Sequence, residues 1–430
     1  MPDNITNIDE YTFYSCSKLE KVKLSNKLEN IGNYAFGDCE SLKSVSIPNS
    51  VKILGNGVFS KCTSLNTVTT GSNIKSIGDE AFLECKSLEN FSLPSSVKSI
   101  GKVAFYNCSS IKSFTIPQID RISEGMFHGC SGITTITVPN SVKNIDMCAF
   151  YDCYNLKSAK LSNNLKSIGE DAFRGCSNLD NIVIPDSVTT IDTGAFYECS
   201  NLKSVKLSNN LTNIDVFLFS GCSSLKDITI PNNVKNISDY AFQSCENLNT
   251  IVIGNNVETI GNCAFALCEN LKNVKISNSV KSIGTAAFRD CDNLDSITIS
   301  KNVSNIGEYA FGYYSLYNEE NDNFDNVKYD NYKIYGYKNT AAETYAKENG
   351  FEFISLGEQI LIGDANQDGT VNIKDVTYLQ MHIAGNKNTD GSPLIDETNK
   401  QLFDSIDINN DGKLTVNDVT ALQTYLAQNN

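Results

Sequence analysis

Hydrophobic positions repeat with a period of 23 residues from the start of the chain to residue 311. Phenylalanine marks the period most clearly, with one step of 22 residues into Phe127. Because self-similarity at a fixed period of this size indicates stacked structural units, the pattern predicts a solenoid. The marker residues are Phe13, Phe36, Phe59, Phe82, Phe105, Phe127, Phe150, Phe173, Phe196, Phe219, Phe242, Phe265, Phe288 and Phe311.

Each unit divides into an alternating segment and a turn segment. Leu42, Val45 and Ile47 alternate with polar residues near the end of the first segment, as in a short strand. Pro48 then ends the hydrogen-bond ladder, because proline has no N–H to donate. The second segment reads Ile-Gly-x-x-Ala-Phe-x-x-Cys and spaces Phe and Cys as one helical or 3₁₀ turn would. No unit buries its apolar side chains alone, so we expect neighbours to stack at about 4.8 Å per repeat.

These units resemble the BspA-type leucine-rich repeats of bacterial surface and secreted proteins. The resemblance covers residues 1–311, and a cap at 312–357 extends the repeat region to about residue 357. The predicted fold class is a leucine-rich-repeat solenoid, with a short strand plus a turn or 3₁₀ segment in each unit, followed by a small all-α domain. In that family the repeats act in adhesion and recognition, so the resemblance implies a binding function.

Residues 312–357 break the period and predict a cap for the solenoid. Residues 340–350 read as one helix, with Thr340 as N-cap, Glu343 at the capping-box position and Gly350 as the stop. Residues 351–354 would form a closing strand. The segment is also rich in tyrosine, for which an aromatic sugar platform is the alternative interpretation.

Thirteen of the 15 cysteines follow a repeat phenylalanine by three positions. Stacking would bring neighbours within the Cα separation of a disulfide, about 4.4–6.8 Å. Since every layer is alike, nothing selects partners, and we expect one buried, reduced thiol per layer. Cys148 and Cys263 lie outside this ladder, about 24 Å apart at the strand spacing, and cannot bridge each other.

The C-terminal region contains two twelve-residue loops rich in side-chain oxygen. Both carry oxygen-bearing side chains at loop positions 1, 3, 5, 9 and 12, and glycine at position 6, where the chain must turn sharply. Because calcium takes about six to eight oxygen ligands, the spacing predicts two Ca²⁺ ions, with Asx-rich turns as the alternative. The predicted ligands are Asp364, Asn366, Asp368, Thr370, Asn372 and Asp375 in the first loop, and Asp407, Asn409, Asp411, Lys413, Thr415 and Asp418 in the second, with Thr370 and Lys413 acting through backbone carbonyls.

Position 12 is aspartate in both loops and no long helix precedes Asp364, which points away from EF-hand sensors. The two loop-helix copies, with a connecting helix between Asp396 and Ser405, resemble a type I dockerin over residues 360–430. That resemblance implies calcium-dependent binding to a cohesin module of a scaffold protein. The positions that contact cohesin in dockerins are here Ile373, Lys374, Gln380, Met381, Val416, Asn417, Gln423 and Thr424, which differ from the Ser-Thr and Lys-Arg pairs of the best-known dockerins.

The net charge of the chain is −15, and its acid is concentrated at the C-terminus. This balance argues against nucleic-acid binding, and no apolar stretch approaches the roughly 20 residues of a membrane span. Met1-Pro2 stands where other units have Ile-Pro, so we expect an N-terminal truncation that explains the missing signal peptide. The expected location is extracellular, either secreted or attached to the cell surface through a scaffold.

The two histidines, His128 and His382, lie far apart, and no nucleophile triad, zinc spacing or phosphate loop is present. The sequence therefore predicts a non-catalytic binding or adhesion subunit. Its dockerin would attach it to a cohesin on a cellulosome-type scaffold, in the context of polysaccharide degradation. The predicted domains are the repeats at 1–311, their cap at 312–357 and the dockerin-like domain at 358–430. A carbohydrate-active enzyme with an unrecognised site and a structural spacer remain alternatives.

One row of outward strand positions is the predicted ligand face. It is rich in hydroxyl groups, carries four lysines and lacks aromatic residues, and the chain has no tryptophan. Such a face would meet a protein, a polysaccharide or nothing. The row comprises Lys23, Ser46, Thr69, Ser92, Thr115, Thr137, Lys160, Val183, Lys206, Thr229, Val252, Lys275 and Thr298.

Overall fold

A computed structural model of the chain describes residues 1–319, 322–358, 361–367 and 371–429. They form two compact units, Met1–Lys333 and Ile334–Asn430. The first is a parallel β-solenoid and the second contains the helices, so the predicted fold class of a repeat solenoid followed by a small helical domain is confirmed. The division into three domains at 311/312 and 357/358 stays a prediction.

Most units contribute strands to two columns of parallel β-structure, not one. The predicted Leu-x-x-Val-x-Ile column contains β3 (Ser44–Ser46), β5 (Thr67–Thr69), β7 (Asn90–Phe91), β10 (Thr135–Thr137), β12 (Ser158–Lys160), β14 (Asn181–Val183), β16 (Ser204–Lys206), β18 (Asp227–Thr229), β20 (Thr250–Val252), β22 (Asn273–Val274) and β24 (Ser296–Thr298). The second column contains β1 (Asn7–Ile8), β2 (Asn30–Ile31), β4 (Ile53–Leu54), β6 (Ser76–Ile77), β8 (Ser99–Ile100), β9 (Arg121–Ile122), β11 (Asn144–Ile145), β13 (Ser167–Ile168), β15 (Thr190–Ile191), β17 (Asn213–Ile214), β19 (Asn236–Ile237), β21 (Thr259–Ile260), β23 (Ser282–Ile283) and β25 (Asn305–Ile306).

The second column comes from the Ile-Gly part of each unit. Its strands have two residues and pair in register with the next layer, as Ser76 does with Ser99. Glycine follows in many layers because the neighbouring backbone is close. A Cβ on Gly101 would lie 2.4 Å from the amide nitrogen of Asp79, which is closer than any side chain tolerates.

The Ala-Phe-x-x-Cys part forms consecutive tight turns, not a helical turn. The Phe36 amide donates to the Val58 carbonyl of the next layer (3.0 Å), whereas the Gly37 amide donates to Tyr34 of its own layer (3.0 Å). The residues two before and two after the phenylalanine take left-handed backbone angles, as at Tyr34 (φ 50°) and Asp38 (φ 55°). Alternate amides can therefore point along the solenoid axis, which satisfies them against the neighbouring layer.

The fourteen repeat phenylalanines form one continuous stack, as the period predicts. Centroids of successive rings are 5.0–5.7 Å apart, and the rings are within about 21° of parallel. Phe36 to Phe311 are buried, whereas Phe13 is half-buried. This stack is the centre of the core, because every layer places its ring against two others.

The single 22-residue step interrupts both strand columns but not the ring stack. Sheet pairing ends at β7 and β8 and resumes at β9 and β10. At this place two further rings, Phe91 and Phe114, occupy inward strand positions and pack against Phe105. The added aromatic contacts lie where the pairing of strands is lost.

The ladder cysteines are free, and each buried thiol has a hydrogen-bond acceptor in the preceding layer. The Cys153 thiol donates to the Phe127 carbonyl at 3.2 Å, and the same contact recurs in every layer from Cys39 to Cys291. Burial raises the pKa of Cys130 to about 12 and that of Cys39 to about 11, which keeps both as thiols. The prediction that the ladder thiols are unpaired is confirmed. The prediction that all thirteen are buried is wrong, because Cys16 in the first layer is exposed.

Thiol labelling checks this arrangement. In the native protein at pH 8, we expect Cys16 to react with a thiol reagent, because it is exposed. The twelve buried thiols should react only after unfolding, because the reagent needs an exposed thiolate. In denaturant without reductant, most of the 15 cysteines should react, and a count below half would contradict the reduced ladder.

The residues after the last layer form a hairpin and then a helix. β26 (Tyr313–Asn318) pairs antiparallel with β27 (Asn323–Lys328). In the second unit, α1 (Ala341–Asn349) lies between β28 (Lys333–Lys338) and β29 (Glu352–Glu358), which are hydrogen-bonded neighbours in a sheet. Gly350 ends the helix with φ 68°, as predicted, but the capping box is wrong. Glu343 accepts from the Asn339 amide (2.7 Å), and the Thr340 hydroxyl donates to Tyr337 (2.6 Å).

Three further helices follow, α2 (Ile373–Ile383), α3 (Lys400–Ile406) and α4 (Val416–Asn429). α3 is the predicted connecting helix. Their shared core comprises Ala365, Val376, Leu379, Ile395, Leu402, Ile406, Val419 and Leu422. The periodic apolar residues of α2 and α4 therefore face each other, and each loop is held against the helix that follows it. Among the residues that the structure describes, no helix has the length and apolar character that a membrane span requires.

Candidate metal centre and docking surface

The second oxygen-rich loop gathers three carboxylates at the start of α4. Carboxylate oxygens of Asp407, Asp411 and Asp418 lie within 4.8 Å of one another, and Asp407 and Asp418 are buried. Asp407 accepts the Asp411 amide at 3.1 Å and the Gly412 amide at 2.8 Å. Gly412 has φ 78°, so the sharp turn at position 6 is present as predicted.

Asp418 ties the end of this loop to its beginning. Its carboxylate accepts the amide of Asn409 at 3.3 Å and the amide of Thr415 at 2.9 Å. Asp418 is also in the first turn of α4, where a negative charge is favourable. The Asn409 side-chain amide donates to Asp411 at 3.1 Å. Positions 1, 3, 5, 9 and 12 of the loop are thereby brought together.

The first loop has the same construction in the part that the structure describes. Asp375 accepts the amide of Asn366 at 3.2 Å and that of Asn372 at 2.8 Å, which matches the bonds of Asp418. Asp364 and Asp375 are both buried. Position 4 has a left-handed backbone in each loop, Gln367 with φ 55° and Asn410 with φ 58°. The predicted ligands Asp368 and Thr370 lie outside the described residues.

The chemistry of these loops fits calcium. Asp364, Asp375, Asp407 and Asp418 are each under 7% exposed, and burying a carboxylate without a compensating charge is costly. Within the described residues, no lysine, arginine or histidine nitrogen lies within 4.0 Å of the second-loop carboxylates. A hard divalent cation would supply the missing charge, and the donors are oxygen throughout, as calcium prefers.

The eight predicted partner-contact residues all lie on the surface of the helical domain. Ile373 and Val416 occupy the first position of their helices, and each is 65% exposed despite its apolar side chain. The set also includes Lys374, Gln380, Met381, Asn417, Gln423 and Thr424, which are exposed as well. Tyr425, next to Thr424, is also 43% exposed. It was not among the predicted contact residues, because it does not occupy one of the helix positions that contact cohesin in dockerins.

The thirteen residues of the predicted repeat face are likewise exposed. Sequence reasoning missed a hollow on this face, between the layers of Val252 and Lys275. The sequence gives no distinct signal for it, because Ser162 and Ser208 replace the repeat proline in the same way as Gly254 and Ser277.

The two histidines lie in unrelated structural settings. His128 lies between the rings of Tyr106 and Tyr151, with centroid separations of 4.6 and 4.5 Å, and burial lowers its pKa. His382 contacts Glu397 at 2.8 Å through Nε2, while its Nδ1 accepts the Ile395 amide. Both arrangements hold neighbouring segments together.

Comparisons with known proteins agree with this architecture. Residues 1–112, 98–225 and 189–318 match the family model described as BspA type Leucine rich repeat region (6 copies), and residues 362–427 match the Dockerin type I domain. No curated protein sequence matches the chain.

Among solved structures, a leucine-rich repeat protein from Bacteroides ovatus is similar with a TM-score of 0.71 and 27% identity, covering 82% of this chain and 88% of its own. A leucine-rich cell surface protein from Faecalibacterium prausnitzii has a TM-score of 0.39 and 27% identity, covering 72% and 70%. The chain therefore belongs to the BspA type leucine-rich repeat family and carries a type I dockerin domain at its C-terminal end.

Proposed function

We propose that this protein is a non-catalytic recognition subunit that its dockerin attaches to a cohesin on a cellulosome-type scaffold. The observation that carries the proposal is the duplicated loop-helix, in which Asp375 and Asp418 make matching bonds within their loops. Neither matched family is catalytic, and the solenoid offers a long exposed face. An extracellular location, in the context of polysaccharide degradation, follows from this assignment.

The metal would be held by the twelve predicted ligands, six in each loop. When bound, calcium supplies the charge that neutralises the buried carboxylates and fixes the angle between each loop and its helix. The chain's own residues then present the docking surface. Asp375 and Asp418 hold the first turns of α2 and α4, which position Ile373 and Val416 for contact with the partner.

The two docking surfaces are similar but not identical. Lys374 and Met381 on the first copy correspond to Asn417 and Thr424 on the second. We therefore propose that a cohesin contacts either copy with unequal affinity, since Met381 adds apolar area and Lys374 adds charge.

Cohesin binding with and without calcium tests the proposal. The full chain is passed over immobilised cohesins of several classes in calcium and then in chelator. We expect binding to at least one cohesin in calcium and its loss in chelator. Substitution of Ile373→Asp together with Val416→Asp should abolish binding with calcium content unchanged, whereas Gln401→Asp, at an exposed position of α3, is the control. Two bound ions without any cohesin partner would reject the docking function.

A further inference from the structure

The C-terminal half of the repeat face is cationic although the chain is acidic. We define the cationic strip as the outward residues of β12, β14, β16, β18, β20, β22 and β24 together with Lys275. It contains three lysines and one carboxylate, Asp227, in a chain of net charge −15. Within the described residues, none of the three lysines is within 4.0 Å of a carboxylate oxygen. The strip comprises Ser158, Lys160, Asn181, Val183, Ser204, Lys206, Asp227, Thr229, Thr250, Val252, Asn273, Lys275, Ser296 and Thr298.

The lysines are spaced along the solenoid axis by whole layers. Lys160 and Lys206 occupy the same register position two layers apart, which is about 9.6 Å at the strand spacing. Lys275 lies three layers beyond Lys206, about 14 Å away. A linear polysaccharide advances by about one such layer per sugar ring. A chain of acidic sugars lying along the axis would therefore pass all three ammonium groups.

The hollow between Val252 and Lys275 has room for a sugar ring and a lining whose chemistry suits one. Its volume is about 550 Å³, and its lining includes no aspartate or glutamate. Val252 is 54% exposed and offers an apolar surface, while Lys275, Asn255 and Asn278 surround it with donors. Asn278 Oδ1 already accepts from the Ser300 hydroxyl at 3.1 Å, which leaves its NH₂ group to donate. The lining thus favours a ligand with a carboxylate and ring oxygens over a cationic or purely apolar one.

We propose that the cationic strip binds an acidic polysaccharide along the solenoid axis and that the hollow at Val252 and Lys275 receives one of its uronate rings. This inference deepens the proposed recognition function and rests on it only for its biological context. The strip has no arginine, a residue enriched in protein interfaces and in contacts with nucleic acids. Hydroxyl, amide and ammonium groups beside a small apolar surface instead match the alternating polar and C–H surfaces of a sugar.

Binding of galacturonate oligomers to the full chain tests the proposal. The titration is done in chelator, because uronates themselves bind calcium, and a neutral cello-oligosaccharide of equal length is the comparison. We expect saturable binding of the acidic oligomer only, weakening as salt increases. Lys206→Gln and Lys275→Gln should each weaken it about tenfold, as expected for loss of one charge-assisted hydrogen bond. Val252→Asp should weaken it further, because it places a negative charge at the hollow.

Control substitutions and competing polyanions separate the outcomes. Lys166→Gln, beside β13 in the other column, should leave affinity unchanged. Equal binding of polyglutamate or single-stranded DNA would overturn the sugar assignment, and no effect of Lys206→Gln and Lys275→Gln would overturn the site. Cohesin binding in calcium is measured separately on the same variants. Cohesin binding should be unchanged in these variants. The polysaccharide experiment and the cohesin experiment therefore test the cationic strip and the docking function separately.

Discussion

Replacing Phe173 with alanine is expected to destabilise the solenoid by about 3–5 kcal/mol, the range for removing a buried aromatic ring. Phe173 is fully buried and stacks on Phe150 at 5.0 Å and on Phe196 at 5.4 Å. Its loss leaves a cavity between two layers that the strand hydrogen bonds prevent from closing. Urea unfolding followed by circular dichroism should show the midpoint falling markedly, or the transition dividing in two, because each layer contacts only its neighbours.

Two matched variants define the size of this effect. Phe13→Ala removes the half-buried ring at the beginning of the stack and should cost clearly less. Tyr154→Ala removes a 48% exposed ring from a turn and should stay within about 0.5 kcal/mol of the parent. Equal costs for Phe173→Ala and Tyr154→Ala would show that the ring stack is not the core.

Replacing Asp407 and Asp411 together with alanine is expected to abolish calcium binding at the second loop and to unfold much of the helical domain. Asp407 closes the loop by accepting two amides, and both carboxylates belong to the acidic group of three. Binding to the folded form alone stabilises by mass action, by about 4 kcal/mol when calcium is a thousandfold above the dissociation constant. Loss of one ion therefore removes an amount comparable to the stability of a small domain.

The effect should remain within the helical domain. Thiol labelling of the buried cysteine ladder should be unchanged in the double variant, because none of these thiols contacts a calcium-loop residue. Asp404→Ala removes an exposed carboxylate that pairs with Lys400, and should alter neither calcium content nor stability by more than a few tenths of a kcal/mol. Exposure of the ladder thiols in the double variant would contradict the independence of the two parts.

The period of the sequence predicted the ring stack, because phenylalanine stands at the same position in every unit. Stacking of the units therefore brings each ring against the next. The second strand column was not predicted, since a two-residue strand such as Ser76–Ile77 is too short for alternation to be recognised. The left-handed residues of the turns, including Tyr34 and Asp38, also escaped prediction, because glycine occupies these positions in only some layers, as at Gly57.

The construction of the two oxygen-rich loops was predictable because the same residue types recur at the same loop positions in both. The bonds of Asp375 and Asp418 to backbone amides were not, since they depend on the path of the loop. Exposure of Cys16 was missed for a related reason. Its twelve equivalents are buried and donate to the phenylalanine carbonyl of the layer before them, whereas Cys16 is exposed.

Calorimetric titration of the full chain with calcium, after removal of bound ions, tests the central claim most directly. We expect two ions per chain, together with a calcium-dependent gain in helical circular dichroism. We expect at most one ion in the Asp407→Ala, Asp411→Ala variant and at most one in the Asp364→Ala, Asp368→Ala variant. Fewer than two ions in the parent protein, or no calcium-dependent change in its circular dichroism, would contradict a calcium-loaded docking domain.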